Sequence, residues 1–170
     1  MDLKAAILEQ HSKAQTDRIV QYVGHDKKRF NELMKVFLTG DALIQQRAGW
    51  PLSYCAQENP SFVLPHLEKL LTLLKNPRVH NAVTRNIVRL LQDIKIPERY
   101  QGPVMNTCFE FIASPTQPAA VKAFSLTILE HLADDYPDII PELKLIIEEQ
   151  WPHETAAFHS RARKILKKFG

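Results

Sequence analysis

Seven histidines, two cysteines and 19 carboxylates are available for catalysis or metal binding in this 170-residue chain, so their spacing is weighed first. His131 stands three and four residues before Asp134 and Asp135, which places a His–carboxylate pair on one face of a helix. Alone, such a pair is ordinary surface electrostatics. His153 and His159 are six residues apart and fall on different faces of a straight helix, the wrong placement for two ligands of one metal. Cys55 and Cys108 form no C-x-x-C and no zinc-ligand pattern, which suits a reducing interior better than a disulfide framework. The chain has no Gly-rich phosphate loop, no G-x-S-x-G and no H-E-x-x-H. The expectation is a protein that is not an enzyme and takes no cofactor or metal.

Binding chemistry is better represented. "RAGWPLSY" brings Trp50 and Tyr54 one turn apart beside Pro51, which cannot donate to the carbonyl of Arg47; a bend is expected near Gly49. Aromatic residues anchor interfaces well, so Trp50 and Tyr54, with Arg85 and Arg89 further on, are candidate partner-binding residues. The terminal stretch "FHSRARKILKKFG" holds Arg161, Arg163, Lys164, Lys167 and Lys168 without an acid, a candidate anion-binding face. Lysines in a last helical turn also complement the helix dipole, and the acids Asp134, Asp135, Asp138, Glu142, Glu148 and Glu149 upstream could neutralise this helix or that of a neighbouring copy. A net charge of +3, from 22 bases against 19 acids, is too mild to demand nucleic acid.

Helices must position these groups. Five glycines and eleven prolines, in a chain rich in Leu, Ile, Ala, Glu and Lys, favour helices punctuated by proline, an all-α fold. The apolar positions Leu67, Leu70, Leu71 and Leu74 recur 38 residues on as Met105, Cys108, Phe109 and Ile112. They recur again as Leu143, Ile146 and Ile147, with Gln150 the exception. The i, i+3, i+4, i+7 spacing is the stripe of a helix burying one face. Pro65, Pro103 and Pro141 share that step and are expected in first helical turns, while Pro77, Pro115 and Pro152 close the helices. A second set of helices shares the period through Leu52, Leu90, Ile128 and Leu166. The basic column Arg47, Arg85, Lys122 and Arg161 nearly follows it, and pairing within the fold is favoured over a phosphate-binding ladder because charges beside a core persist when paired. Two-helix units of this kind cannot cover their own stripes and must stack. At the N-terminus, Ser12 and Gln15 begin one helix that Gly24 ends, Asp26 begins a second that Gly40 closes, and Asp41 caps the next.

"QQRAGWPLSYCA", "AVTRNIVRLL", "AAVKAFSLTIL" and "FHSRARKIL" resemble the second half of the HEAT repeat, in which Val-Arg is followed by Ala and spaced leucines. The chain is similar overall to small bacterial proteins of the HEAT or armadillo class. The resemblance implies a right-handed α–α superhelix of antiparallel helix pairs, about 38 residues each. It divides a single domain into a divergent N-terminal repeat at 1–40, repeats at 41–78, 79–116 and 117–153, and a capping helix at 154–170. It also implies a scaffold or adaptor for a protein or peptide. HEAT-like DNA glycosylases hold alkylated DNA on basic concave surfaces, so nucleic acid on the 161–168 cations is the competing class. The N-terminus lacks the apolar core of a signal peptide and no stretch approaches 18 apolar residues, so a cytoplasmic protein with no membrane partner is expected. A homo-oligomer stays among the expectations.

Overall fold

The computed structural model describes residues 1–170 and contains helices but no strand, as the composition requires. The chain separates into two compact units, Met1–Lys95 and Ile96–Gly170, and the boundary falls between the two helices of the segment 79–116.

The first unit holds α1 (Leu3–Glu9), α2 (Lys13–Val23), α3 (Lys27–Thr39), α4 (Ala42–Glu58), a 3-10 segment (Pro60–His66), α5 (Leu67–Leu74) and α6 (Asn81–Leu91). Capping is local and legible. Ser12 Oγ accepts from the Gln15 N–H at 3.1 Å, Asp26 Oδ1 accepts from both Lys28 and Arg29, and Asp41 Oδ1 accepts from Ile44 at 3.0 Å. Each carboxylate or hydroxyl satisfies a first-turn donor that has no intrahelical partner. At the end of α2 the chain turns through Gly24 with φ of 50°, a left-handed geometry that costs glycine little. Helix α1, capped by Asp2, is a separate element that the sequence left undivided within 1–40. Helix α4 is the hub: it packs on α1, α2, α3 and α6, around the fully buried Phe30, Phe37, Leu52 and Ile87. Burying each such side chain stabilises the fold by roughly 1.5–3 kcal/mol.

The second unit holds α7 (Glu98–Ala113), α8 (Ala119–Asp135), a 3-10 turn (Pro137–Ile139), α9 (Ile140–Gln150), another (Trp151–His153) and α10 (Ala156–Phe169). Helix α8 lies against α7 and α10, and Phe158, Ile128 and Leu129 are buried.

Proline marks helix starts less regularly than its spacing suggests. Pro141 is the second residue of α9, as expected, but Pro65 lies in the 3-10 segment before α5. Pro103 lies well inside α7, which begins at Glu98 behind Pro97. The Arg99 carbonyl that Pro103 cannot serve belongs to an exposed first turn, open to solvent. The apolar stripe also shifts. Leu67, Leu70, Leu71 and Leu74 are all buried, whereas α7 buries Val104, Cys108, Phe111 and Ile112 and turns Met105 and Phe109 to its half-exposed flank. In α9, Leu143 and Ile147 are buried while Ile146 and Gln150 are half-buried. In the other column, Leu52, Leu90 and Ile128 are buried and Leu166 is half-buried.

Side-chain bonds between neighbouring elements reveal the register. His25 Nδ1 and Asn59 Oδ1 meet at 2.7 Å, as do His66 Nε2 and Asn31 Oδ1, with separations of 34 and 35 residues. The second unit repeats the pattern with the Tyr136 hydroxyl donating to Gln101 Oε1 at 2.6 Å and Lys168 Nζ donating to Asp134 Oδ2 at 2.9 Å, 35 and 34 residues apart. The four bonds therefore join side chains at one recurring separation of 34–35 residues.

Candidate partner-binding surface

Helix α4 runs through Pro51 without interruption, and Pro51 itself is buried. Ser53 Oγ donates to the Trp50 carbonyl at 2.8 Å. Gly49, expected at a bend, serves a close approach: a Cβ there would lie 2.0 Å from Asn86 Nδ2 of α6. Asn86, which departs from the small residue of the HEAT pattern, therefore fills the space that Gly49 leaves, and α4 and α6 sit close enough for their side chains to cooperate.

That proximity brings three of the four candidate partner-binding residues together. Arg89 of α6 lies over the Tyr54 ring at 5.5 Å, Lys13 of α2 lies over the same ring at 5.0 Å, and His11 meets the Trp50 ring edge-on at 5.4 Å. Trp50, Tyr54 and Arg89 are half-buried, and His11 and Lys13 are exposed. A hydrogen bond from Trp50 holds the Tyr54 phenol below its usual range, reinforced by the charges of Arg89 and Lys13. Lys13 is also paired with Asp17. Arg85, one turn before Arg89, is exposed and stands apart from the ring cluster.

The basic column is used for internal bonding at three of its four positions. Arg47 Nη1 donates to the Leu8 carbonyl at 3.1 Å, Lys122 pairs with Glu154, and Arg161 bonds the Thr127 hydroxyl and lies over the Phe124 ring at 5.6 Å. The Lys122–Glu154 side chains are only 4% and 7% exposed, so each charge depends on the other.

The candidate anion-binding residues of α10 divide. Arg161 and Lys168 reach α8, the latter to Asp134 and, at 3.8 Å, Glu130, so part of the upstream acid neutralises part of this helix. Arg163 is exposed and lies over the Trp151 ring at 5.5 Å; Lys164 and Lys167 are exposed.

Both cysteines are free and buried. Burial pushes the Cys55 and Cys108 thiols up to about 12, so neither supplies a thiolate at neutral pH. His159 stacks on Trp151 with ring centres 4.2 Å apart, and its Nε2 lies 2.9 Å from the Trp151 carbonyl. His131 and His153 are exposed, and nowhere do three His, Cys, Asp or Glu side chains converge as a metal site would need.

The sequence reading missed a groove of about 660 Å³ between α3 and α5, lined by Asn31, Lys35, Leu38, His66, Lys69 and Leu73 among others. Asn31 and His66 join its walls through the 2.7 Å bond above, and burial, aided by Lys69 and Lys27, lowers the His66 pKa. The lysines of "DKKRFNELMK" hinted at it, but only the fold sets them beside Lys69.

Helices packed on helices, with no strand among them, define an all-helical protein. The model of the HEAT repeat domain family matches residues 3–169, and the chain belongs to that family. The family is one of interaction scaffolds and is generally non-catalytic. No curated protein and no solved structure matches the chain. No helix is long and apolar enough to cross a membrane.

Proposed function

We propose that the chain is a non-catalytic scaffold or adaptor that binds a protein or peptide through the surface of Trp50, Tyr54, Arg89 and Arg85. The observation that supports this reading is the packing of the half-buried Tyr54 ring under the cationic side chains of Arg89 and Lys13, with the half-buried Trp50 one turn before it in α4. Rigid aromatic area costs little side-chain entropy to bind, and cations at its rim select a partner segment that carries carboxylates. Lys13 already has Asp17, which leaves Arg85 and Arg89 as the cations offered to that partner. The test is affinity capture with tagged wild type and with Trp50→Ala/Tyr54→Ala, each first shown to be helical by circular dichroism. Partners that the wild type retains should be lost from the folded double variant; unaltered capture rejects this surface.

The nucleic acid reading draws support from the exposed Arg163, Lys164 and Lys167. It is the weaker one because Arg161 and Lys168 are spent on α8.

A further inference from the structure

The α3–α5 groove combines apolar walls with a rim of cations that form no ion pair. Leu38 and Leu73 are half-buried on its walls, and Lys35 and Lys69 stand exposed on either side. A shallower depression continues along α3, lined by Lys27, Lys28, Asn31, Glu32 and Lys35, and shares Asn31 and Lys35 with the groove. Four lysines therefore border one continuous surface whose lining contains a single acid, Glu32. None of the four ammonium groups has a carboxylate within ion-pair distance, in contrast to Lys13, Lys122 and Lys168 elsewhere in the chain.

The contacts that hold α3 against its neighbour gather at one end. The Phe30 ring meets Phe62 at 5.6 Å and His66 at 6.3 Å, and Asn31 bonds His66. Beyond them, Lys35 to Thr39 on one side and Lys69 to Leu73 on the other flank open space. The volume falls within the range of pre-formed ligand sites, and two helices bordering an apolar trough present the geometry that receives one face of an amphipathic helix.

The geometry points to a second binding site here, for an acidic amphipathic peptide segment that lays its leucine-like side chains on Leu38 and Leu73 and its carboxylates against Lys35, Lys69, Lys27 and Lys28. Charge complementarity commits the site to that occupant. A basic segment would meet four unscreened lysines, and an uncharged one would leave them unused. Nucleic acid fits less well, since Phe30 is fully buried and the walls offer no exposed aromatic plane for a base to stack on. The site uses α3 and α5 and is independent of the Trp50 surface, so either can fail without the other.

The test is fluorescence anisotropy at low ionic strength with the full chain and a labelled helical peptide carrying leucines at i, i+3, i+4 and i+7 and glutamates on either flank. The peptide should bind, and Lys35→Glu/Lys69→Glu should weaken it by about tenfold or more, since each exposed pair contributes up to about fivefold and reversal adds repulsion. Leu73→Asn should also weaken it, whereas Trp50→Ala/Tyr54→Ala should leave it unchanged. The proposal is overturned by absence of binding, by equal binding of the analogue with lysine in place of glutamate, or by insensitivity to the groove variants. Loss in the Trp50/Tyr54 variant instead would assign the peptide to the other surface. Displacement of the peptide by an equal concentration of single-stranded oligonucleotide would overturn the proposal in favour of a phosphate polymer.

Discussion

Gly49→Ala tests the packing that brings α4 and α6 together. In an exposed helix interior this change stabilises by about 1 kcal/mol, because alanine loses less backbone entropy than glycine. Here the new methyl would lie 2.0 Å from Asn86 Nδ2, 2.4 Å from its Cγ and 2.8 Å from its Cβ. Rotating the Asn86 side chain can clear the first two atoms but not the third, whose position follows the α6 backbone, so the helices must separate. Overpacking of this kind costs about 1–3 kcal/mol, and the helix shift puts this site at the upper end. After the propensity gain, the variant should be less stable by about 2 kcal/mol, a fall of about 4–8 °C in Tm for a chain of this size. The chain has two tryptophans, so in a Trp151→Phe background the fluorescence of Trp50 reports the first unit alone during urea or thermal unfolding. Asn86→Gly, which removes that Cβ, should relieve most of the penalty, leaving a coupling of about 1–2 kcal/mol in the double-mutant cycle. A Gly49→Ala variant that melts higher than its parent, or a penalty unaffected by Asn86→Gly, would refute the close approach of α4 and α6.

Lys122→Met strands the Glu154 carboxylate at 7% exposure and should destabilise the second unit by about 3–5 kcal/mol, while Lys122→Met/Glu154→Leu should recover most of that loss, both read from urea unfolding of Trp151 fluorescence. Burial, with Lys69 and Lys27, lowers the His66 pKa from 6.5, so the unfolded chain binds the proton more readily and stability is lost as pH falls through and below that value. The unfolding midpoint of the first unit should therefore drop between about pH 7.5 and pH 5.5, and less so in His66→Gln; an identical slope in the two proteins would show that His66 is not the group responsible.

Much of the fold was legible because its signals are local. Ser12, Asp26 and Asp41 cap helices within three residues of themselves, and Gly24 supplies a left-handed turn at one position. The stripes through Leu67 and Leu52 could be read from period alone, since any helix with that spacing must bury one side. The proline signal was weaker than it looked. Pro103 is tolerated inside α7 because the carbonyl it frees is near the exposed end, a fact that depends on where the helix starts rather than on the proline. Of the candidate partner-binding residues, Trp50 and Tyr54 were placed on one face by their spacing, and their company was not: Arg89, Lys13 and His11 come from two other segments.

Amino-acid order alone dictates that this chain is helical and where three of its helices are capped, because those properties follow from hydrogen bonds and side-chain spacing within a turn or two. Tertiary packing decides which charges are spent and which remain available. Lys122, Lys168, Lys35 and Lys69 look alike in the sequence; the first two meet carboxylates 32 and 34 residues away, and the last two face an open groove. An ion pair between stacked helices depends on the rotation of each helix about its axis, and that rotation is set by how whole apolar faces fit together.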